Sequence, residues 1–207
     1  MKSRTPAAWS VVMSILLAPL LAPLLAHAQC SNLTGSPAPT TETYGANYVK
    51  LKYLMNGPGG GDDRPEVKKS AFSAPSLTFD PLTTHTVHMT ARKTSISGTV
   101  MWSLSVPPSA TLWTQTNLPN GNTRWKYNDP NATFGVKKAQ IVGYTGGFFV
   151  VTYLRGVNQN IMAAPLIPGT DQLHLLVEIE NAGTGICYDG IADTCQGSGN
   201  TQICYVP

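Results

Sequence analysis

Thr99-Val100-Met101-Trp102-Ser103-Leu104-Ser105-Val106 alternates apolar and polar side chains along its length. Val100, Trp102, Leu104 and Val106 fall on one face, and Thr99, Met101, Ser103 and Ser105 on the other. That period of two belongs to a strand with one buried face. Tyr48-Val49-Lys50-Leu51-Lys52-Tyr53 repeats the device, with Val49, Leu51 and Tyr53 opposed to Lys50 and Lys52. Phe148-Phe149-Val150-Val151-Thr152-Tyr153 is β-branched and aromatic throughout, the composition of a central strand apolar on both faces. Tyr144-Thr145-Gly146-Gly147, just before it, is a hairpin signal.

The same pattern predicts further strands over 84–92, 110–115, 123–127, 136–143, 147–154, 172–180, 184–188 and 202–206. No window carries a capped 3.6-residue stripe. About ten short strands divided by Gly and Pro turns predict an all-β chain, an antiparallel β-sandwich with a β-barrel as the alternative. Gly57-Pro58-Gly59-Gly60-Gly61-Asp62-Asp63-Arg64-Pro65 reads as a connection between strands. It lacks the Gly-Lys-Ser/Thr ending and the following helix of a phosphate loop.

The beginning of the chain is unlike the rest. Lys2 and Arg4 precede an apolar run, Val11 to Ala26, which ends in Ala26-His27-Ala28 before Gln29. Charge, apolar stretch and small residues in that order predict a signal peptide over residues 1–28. Pro19 and Pro23 interrupt the run and argue against a membrane anchor. Residues 29–46 read as an N-terminal arm or linker, and 47–207 as one β-sandwich domain. The expected location is secreted, either extracellular or periplasmic, with no membrane-spanning segment after the signal.

Charged residues make up 12% of the chain and its formal net charge is +3, most of it from Lys2 and Arg4. A nearly neutral mature chain shows no basic stripe in the sequence, so nucleic acid is not an expected partner. Cys30, Cys187, Cys195 and Cys204 all follow the signal. An even number of cysteines in an exported chain predicts two disulfides. Three connectivities are open; Cys195–Cys204 closing a Gly-rich loop, with Cys30–Cys187 tying the N-terminus to the last strands, is the preferred one.

Lys50-Leu51-Lys52, Arg124-Trp125-Lys126-Tyr127, Gly135-Val136-Lys137-Lys138-Ala139, Leu173-His174, Ile179-Glu180-Asn181 and Gly185-Ile186-Cys187-Tyr188 carry a resemblance. Together they resemble uncharacterised exported β-rich bacterial proteins over most of 47–204. The resemblance implies export and a β fold, and it implies no activity.

Candidate chemistry is sparse. His85 and His88, in Thr84-His85-Thr86-Val87-His88-Met89, are the most metal-like pair. Three apart on a strand, they point to opposite faces and share an ion only across a bend. A signal cut after Ala26 would expose His27, a terminal histidine of the kind that binds copper in lytic polysaccharide monooxygenases. That cut places Leu24 at −3 and is the poorer site. No Gly-x-Ser-x-Gly elbow is present. Trp113, Trp125 and Tyr127 are candidate ligand-stacking rings, with burial in the core as the competing role. The sequence therefore favours an exported non-catalytic structural or ligand-binding protein of the bacterial surface, periplasm or extracellular space. Its expected partner is carbohydrate or another surface protein, and no cofactor is expected. The competing reading is a secreted polymer-acting hydrolase or copper enzyme.

Overall fold

The computed structural model describes residues 48–52, 61–75, 77–95, 98–159, 161, 166–167, 169–182, 184–192, 194–198 and 201–205. The expected signal peptide, the arm and the Cys30–Cys187 bridge lie outside the described residues. Everything described is strand, turn or irregular, without a helix.

The strands are β1 (Tyr48–Lys52), β2 (Arg64–Lys68), β3 (Ser70–Ser73), β4 (His85–Lys93), β5 (Val100–Val106), β6 (Trp113–Asn117) and β7 (Thr123–Asn128). They continue as β8 (Val136–Tyr144), β9 (Phe148–Gly156), β10 (Leu173–Asn181), β11 (Thr184–Ala192), β12 (Thr194–Ser198) and β13 (Thr201–Tyr205). All pairings are antiparallel. The larger sheet runs β12-β13-β1-β2-β9-β8-β7-β6, with β3 also on β9, and the smaller runs β11-β10-β4-β5. Neither sheet closes on itself, so the barrel alternative does not hold.

Side chains of both sheets contribute to one hydrophobic cluster. Val67, Phe72, Trp125, Tyr127, Phe149 and Leu154 come from the larger sheet. Val87, Met89, Trp102, Leu104, Val177 and Ile179 come from the smaller. Phe79, in the connection from β3 to β4, meets Trp125 edge-on at 4.9 Å and Phe149 at 5.9 Å between ring centres. Gly143 makes room there, since a Cβ on it would come within 2.9 Å of Trp125 and 3.0 Å of Phe149.

One inversion of burial phase and two shifts of register shape the larger features. Pro65 and Val67 are buried on β2, but Ser70 and Phe72 are the buried residues of β3. The phase inverts at Lys69, whose φ is +56°. The stretch read as connecting loop therefore turns into strand at Arg64, and the inversion hid β2 and β3 from a search for strict alternation. On β5 the register shifts opposite Ala91/Arg92, so Met101 is buried beside Trp102 instead of facing outward. On β9 the shift lies opposite Gln140/Ile141, at Thr152 and Tyr153.

β6 begins at Trp113, later than the expected 110–115. Residues 109–112 form a turn in which the Leu112 N–H donates to Ser109 Oγ at 3.2 Å. At the other end, Cys195 and Cys204 form a disulfide between directly paired strands β12 and β13. The pairing is the preferred one, but the expected Gly-rich loop is strand on both sides.

Candidate functional site

The sequence candidates are best placed one at a time. Trp113, Trp125 and Tyr127 are 1%, 6% and 1% exposed. Trp113 packs on Tyr127 at 5.3 Å, and its Nε1–H donates to Pro107 O at 3.1 Å. All three rings face the core, so the expectation of a sugar-stacking row is corrected for them: their role is packing.

His85 and His88 are both buried, and they do stand on opposite faces of β4. The His85 ring lies 5.9 Å from Phe79, and its Nδ1 takes the N–H of Asp80 at 3.1 Å. His88 Nε2 lies 2.7 Å from Glu180 Oε2, across from β4 to β10. Glu178 stands directly opposite His88 in the register. Among the described residues no three His, Cys, Asp or Glu side chains are grouped to hold a metal ion.

Several buried polar groups serve the frame. Asp129 takes the N–H groups of Asn131 at 2.9 Å and Thr133 at 2.7 Å, closing the turn after β7. Burial opposes its ionisation, but those donors win and hold the carboxyl below its ordinary range. Burial, followed by the Asp129 charge and hydrogen bond, pushes the Tyr127 phenol up to about 12. Gln202 on β13 grips residue 166 at both ends of its amide. Its Nε2 donates to Leu166 O at 2.7 Å, and its Oε1 accepts the Leu166 N–H at 2.9 Å.

The concave surface lies elsewhere, on the other face of the larger sheet. A groove of about 580 Å³ is lined by Lys126, Asn128, Lys138, Gln140, Thr152 and Tyr153, with Ala139 and the candidate Tyr127, whose ring is turned into the core, also bordering it. Its floor is built by register. Asn128 stands opposite Lys138, and Lys138 opposite Arg155. One rung along, Lys126 stands opposite Gln140 and Gln140 opposite Tyr153. The slip on β9 sets two consecutive residues, Thr152 and Tyr153, between buried Val151 and Leu154. That is how a bulge re-aims a side chain. Gln140 Nε2 donates to Thr152 Oγ1 at 2.7 Å, which fixes the amide in the floor.

A second, smaller groove of about 220 Å³ lies on neighbouring strands, lined by Lys50, Arg64, Pro65, Glu66 and Arg155. Arg155 stands opposite Glu66, and Glu66 opposite Lys50, so this groove continues the same rung. The Glu66 carboxylate sits 3.4 Å from Lys68. Neither groove was anticipated from the sequence. The larger groove lies on the consecutive strands β7, β8 and β9, the smaller joins β1 and β2 to the distant β9, and Tyr153 lies in a run that reads as apolar on both faces.

No protein-family model, no curated protein and no solved structure matches this chain.

Proposed function

We propose that this is an exported, non-catalytic carbohydrate-binding protein of the bacterial surface, periplasm or extracellular space. In this reading the two sheets form a β-sandwich that serves as a rigid frame. The observation that carries it is the bulge at Thr152–Tyr153, which sets a half-buried ring in a groove floored by Gln140, Asn128 and Thr152. A flat ring gives the apolar face of a sugar something to stack on, while amides and hydroxyls take its hydroxyl groups. The rest of the floor is paired strand, so the site is held by a stiff sheet.

Export is supported by the charge, apolar and small-residue order of residues 1–28 and by the Cys195–Cys204 disulfide. Among the described residues no helix is long and apolar enough to cross a membrane. The groove's side chains are amine, amide, hydroxyl and phenol, a set that binds and orients polar ligands.

The test is a polysaccharide binding screen with the purified chain from Gln29 onward, repeated with Tyr153→Ala and Gln140→Ala. Binding that both substitutions weaken about tenfold, with melting temperature kept, supports the reading, each removing one stacking or hydrogen-bonding contact. Binding that neither substitution changes would place the ligand elsewhere.

A further inference from the structure

The two grooves share a lining of cations. Along the larger sheet the strands run β1, β2, β9, β8, β7, and each contributes one cation to the linings of the two grooves. These are Lys50, Arg64, Arg155, Lys138 and Lys126. Adjacent strands are about 4.8 Å apart, so the five charges cross roughly 19 Å of sheet, perpendicular to the strands. None of the five has a salt-bridge partner among the described residues. The one carboxylate within the track, Glu66, lies against Lys68. The chain's overall charge is nearly neutral because buried or loop carboxylates such as Asp63, Asp129 and Asp171 balance these cations elsewhere.

Resting on the carbohydrate reading above, we infer that the ligand is an acidic polysaccharide, a chain of carboxylate-bearing sugars laid across β1, β2, β9, β8 and β7. A linear polyanion in that direction meets one cation per strand. The guanidinium groups of Arg64 and Arg155 offer paired N–H donors of the shape a carboxylate takes. Between the cations, Asn128, Gln140 and Thr152 remain for hydroxyl groups. A single-stranded nucleic acid fits this face less well, because sequence-tolerant binding of bases uses several aromatic platforms in succession. Here Tyr153 is the one ring of the two grooves that is not buried; Tyr127, the other aromatic residue bordering them, is 1% exposed and packs in the core.

The experiment measures binding of the purified chain from Gln29 onward to polygalacturonate, to neutral dextran and to single-stranded DNA, each at low and high salt. The same set is run with the Lys138→Gln/Arg155→Gln double variant, and melting temperatures establish that the variant is folded. Arg155→Lys, which keeps the charge and loses the fork, is the milder control if the double variant does not fold. The expected result is preference for polygalacturonate, weakened by salt and about tenfold or more by the double variant. Arg155→Lys should give an intermediate loss. Equal or tighter binding of dextran, untouched by the double variant, overturns the acidic class and leaves the carbohydrate reading standing. Tighter binding of DNA overturns the acidic-polysaccharide inference in favour of a nucleic acid. Binding of none of the three overturns both.

Discussion

Lys138 on β8 stands directly opposite Arg155 on β9, two cations on one rung of one sheet face. Like charges directly opposed across strands destabilise a sheet. Glu66, on the far side of Arg155, has its carboxylate against Lys68 instead. The rung is therefore a place where the fold carries a cost that a bound anion would remove.

Lys138→Gln should leave the melting temperature of the free protein unchanged or slightly raised, because it relieves this repulsion. Differential scanning calorimetry at low salt is the check. A clear drop in melting temperature would mean that Lys138 makes a stabilising contact, and that its charge is structural.

The disulfide joins strands that already pair, and among the described residues β12 has no second neighbour in its sheet. Replacing both Cys195 and Cys204 by alanine should cost about 2–3 kcal/mol, the value expected for a loop of this short length. Urea unfolding with the other cysteines intact measures it. An unchanged midpoint would show that β12 contributes nothing to global stability.

Part of the frame was legible in the sequence, because strands such as β7 and β13 keep a period of two in their burial. β10, expected over 172–180, is strand over Leu173–Asn181 and pairs β4 without a slip, with every side chain from Leu173 to Ile179 buried. Interruptions of the alternation hid β2 and β3 and misplaced Met101, whereas β12 went unread because Thr194–Ser198 carries no apolar alternation. At Lys69 the buried phase inverts, and at Met101 an extra residue enters the core. The candidate site was the least legible part. Alternation says which residues share a face, but it cannot say which strands become neighbours. Lys50, Lys138 and Arg155 become neighbours only through the β1-β2-β9-β8 order. The tryptophans drew attention because they are large, and their size is also what buries them.

Acid should act through Asp171. Burial opposes its ionisation, but the Ile167 N–H, the Lys93 ammonium at 2.9 Å and the Thr94 hydroxyl outweigh that and lower its pKa from 3.8. A carboxyl depressed in the folded state contributes stability above its unfolded value and loses it as the pH falls through the folded one. Asp171→Asn should therefore be destabilised relative to wild type at neutral pH, with the gap narrowing below about pH 3.8. Denaturant titrations at pH 7 and pH 3 read the two gaps. A gap that does not narrow would mean that the charge of Asp171 is unimportant.

Alkali should act through Tyr127. Its folded pKa, about 12, lies above the ordinary 10.0, so the unfolded chain gives up this proton first. Stability from this group is full below pH 10 and is lost as the pH rises toward 12. In an ultraviolet titration of the folded protein, one phenol should lag the others, and Tyr127→Phe should remove that late step. A titration in which the variant and wild type coincide would show that Tyr127 ionises with the exposed phenols.

The hairpin between β8 and β9 separates two effects of glycine. Gly146 and Gly147 have φ of +90° and +79°, a region where an L side chain is strained. Around Gly146 a Cβ would meet nothing within 4 Å, so Gly146→Ala should cost about 1 kcal/mol from backbone strain alone. At Gly147 the added carbon would collide with Pro75 Cα and lie 2.7 Å from Ala74 O. The same residue accepts the Ala74 N–H at 2.7 Å, which holds the end of β3 against the turn. Both obstacles are backbone, and neither can rotate away. Gly147→Ala should therefore cost well over twice as much, on the order of 3 kcal/mol. It should also loosen β3, seen as faster hydrogen exchange at Phe72 and Ala74 with Gly146→Ala as the reference. Equal costs for the two substitutions would show that β3 does not press on this turn.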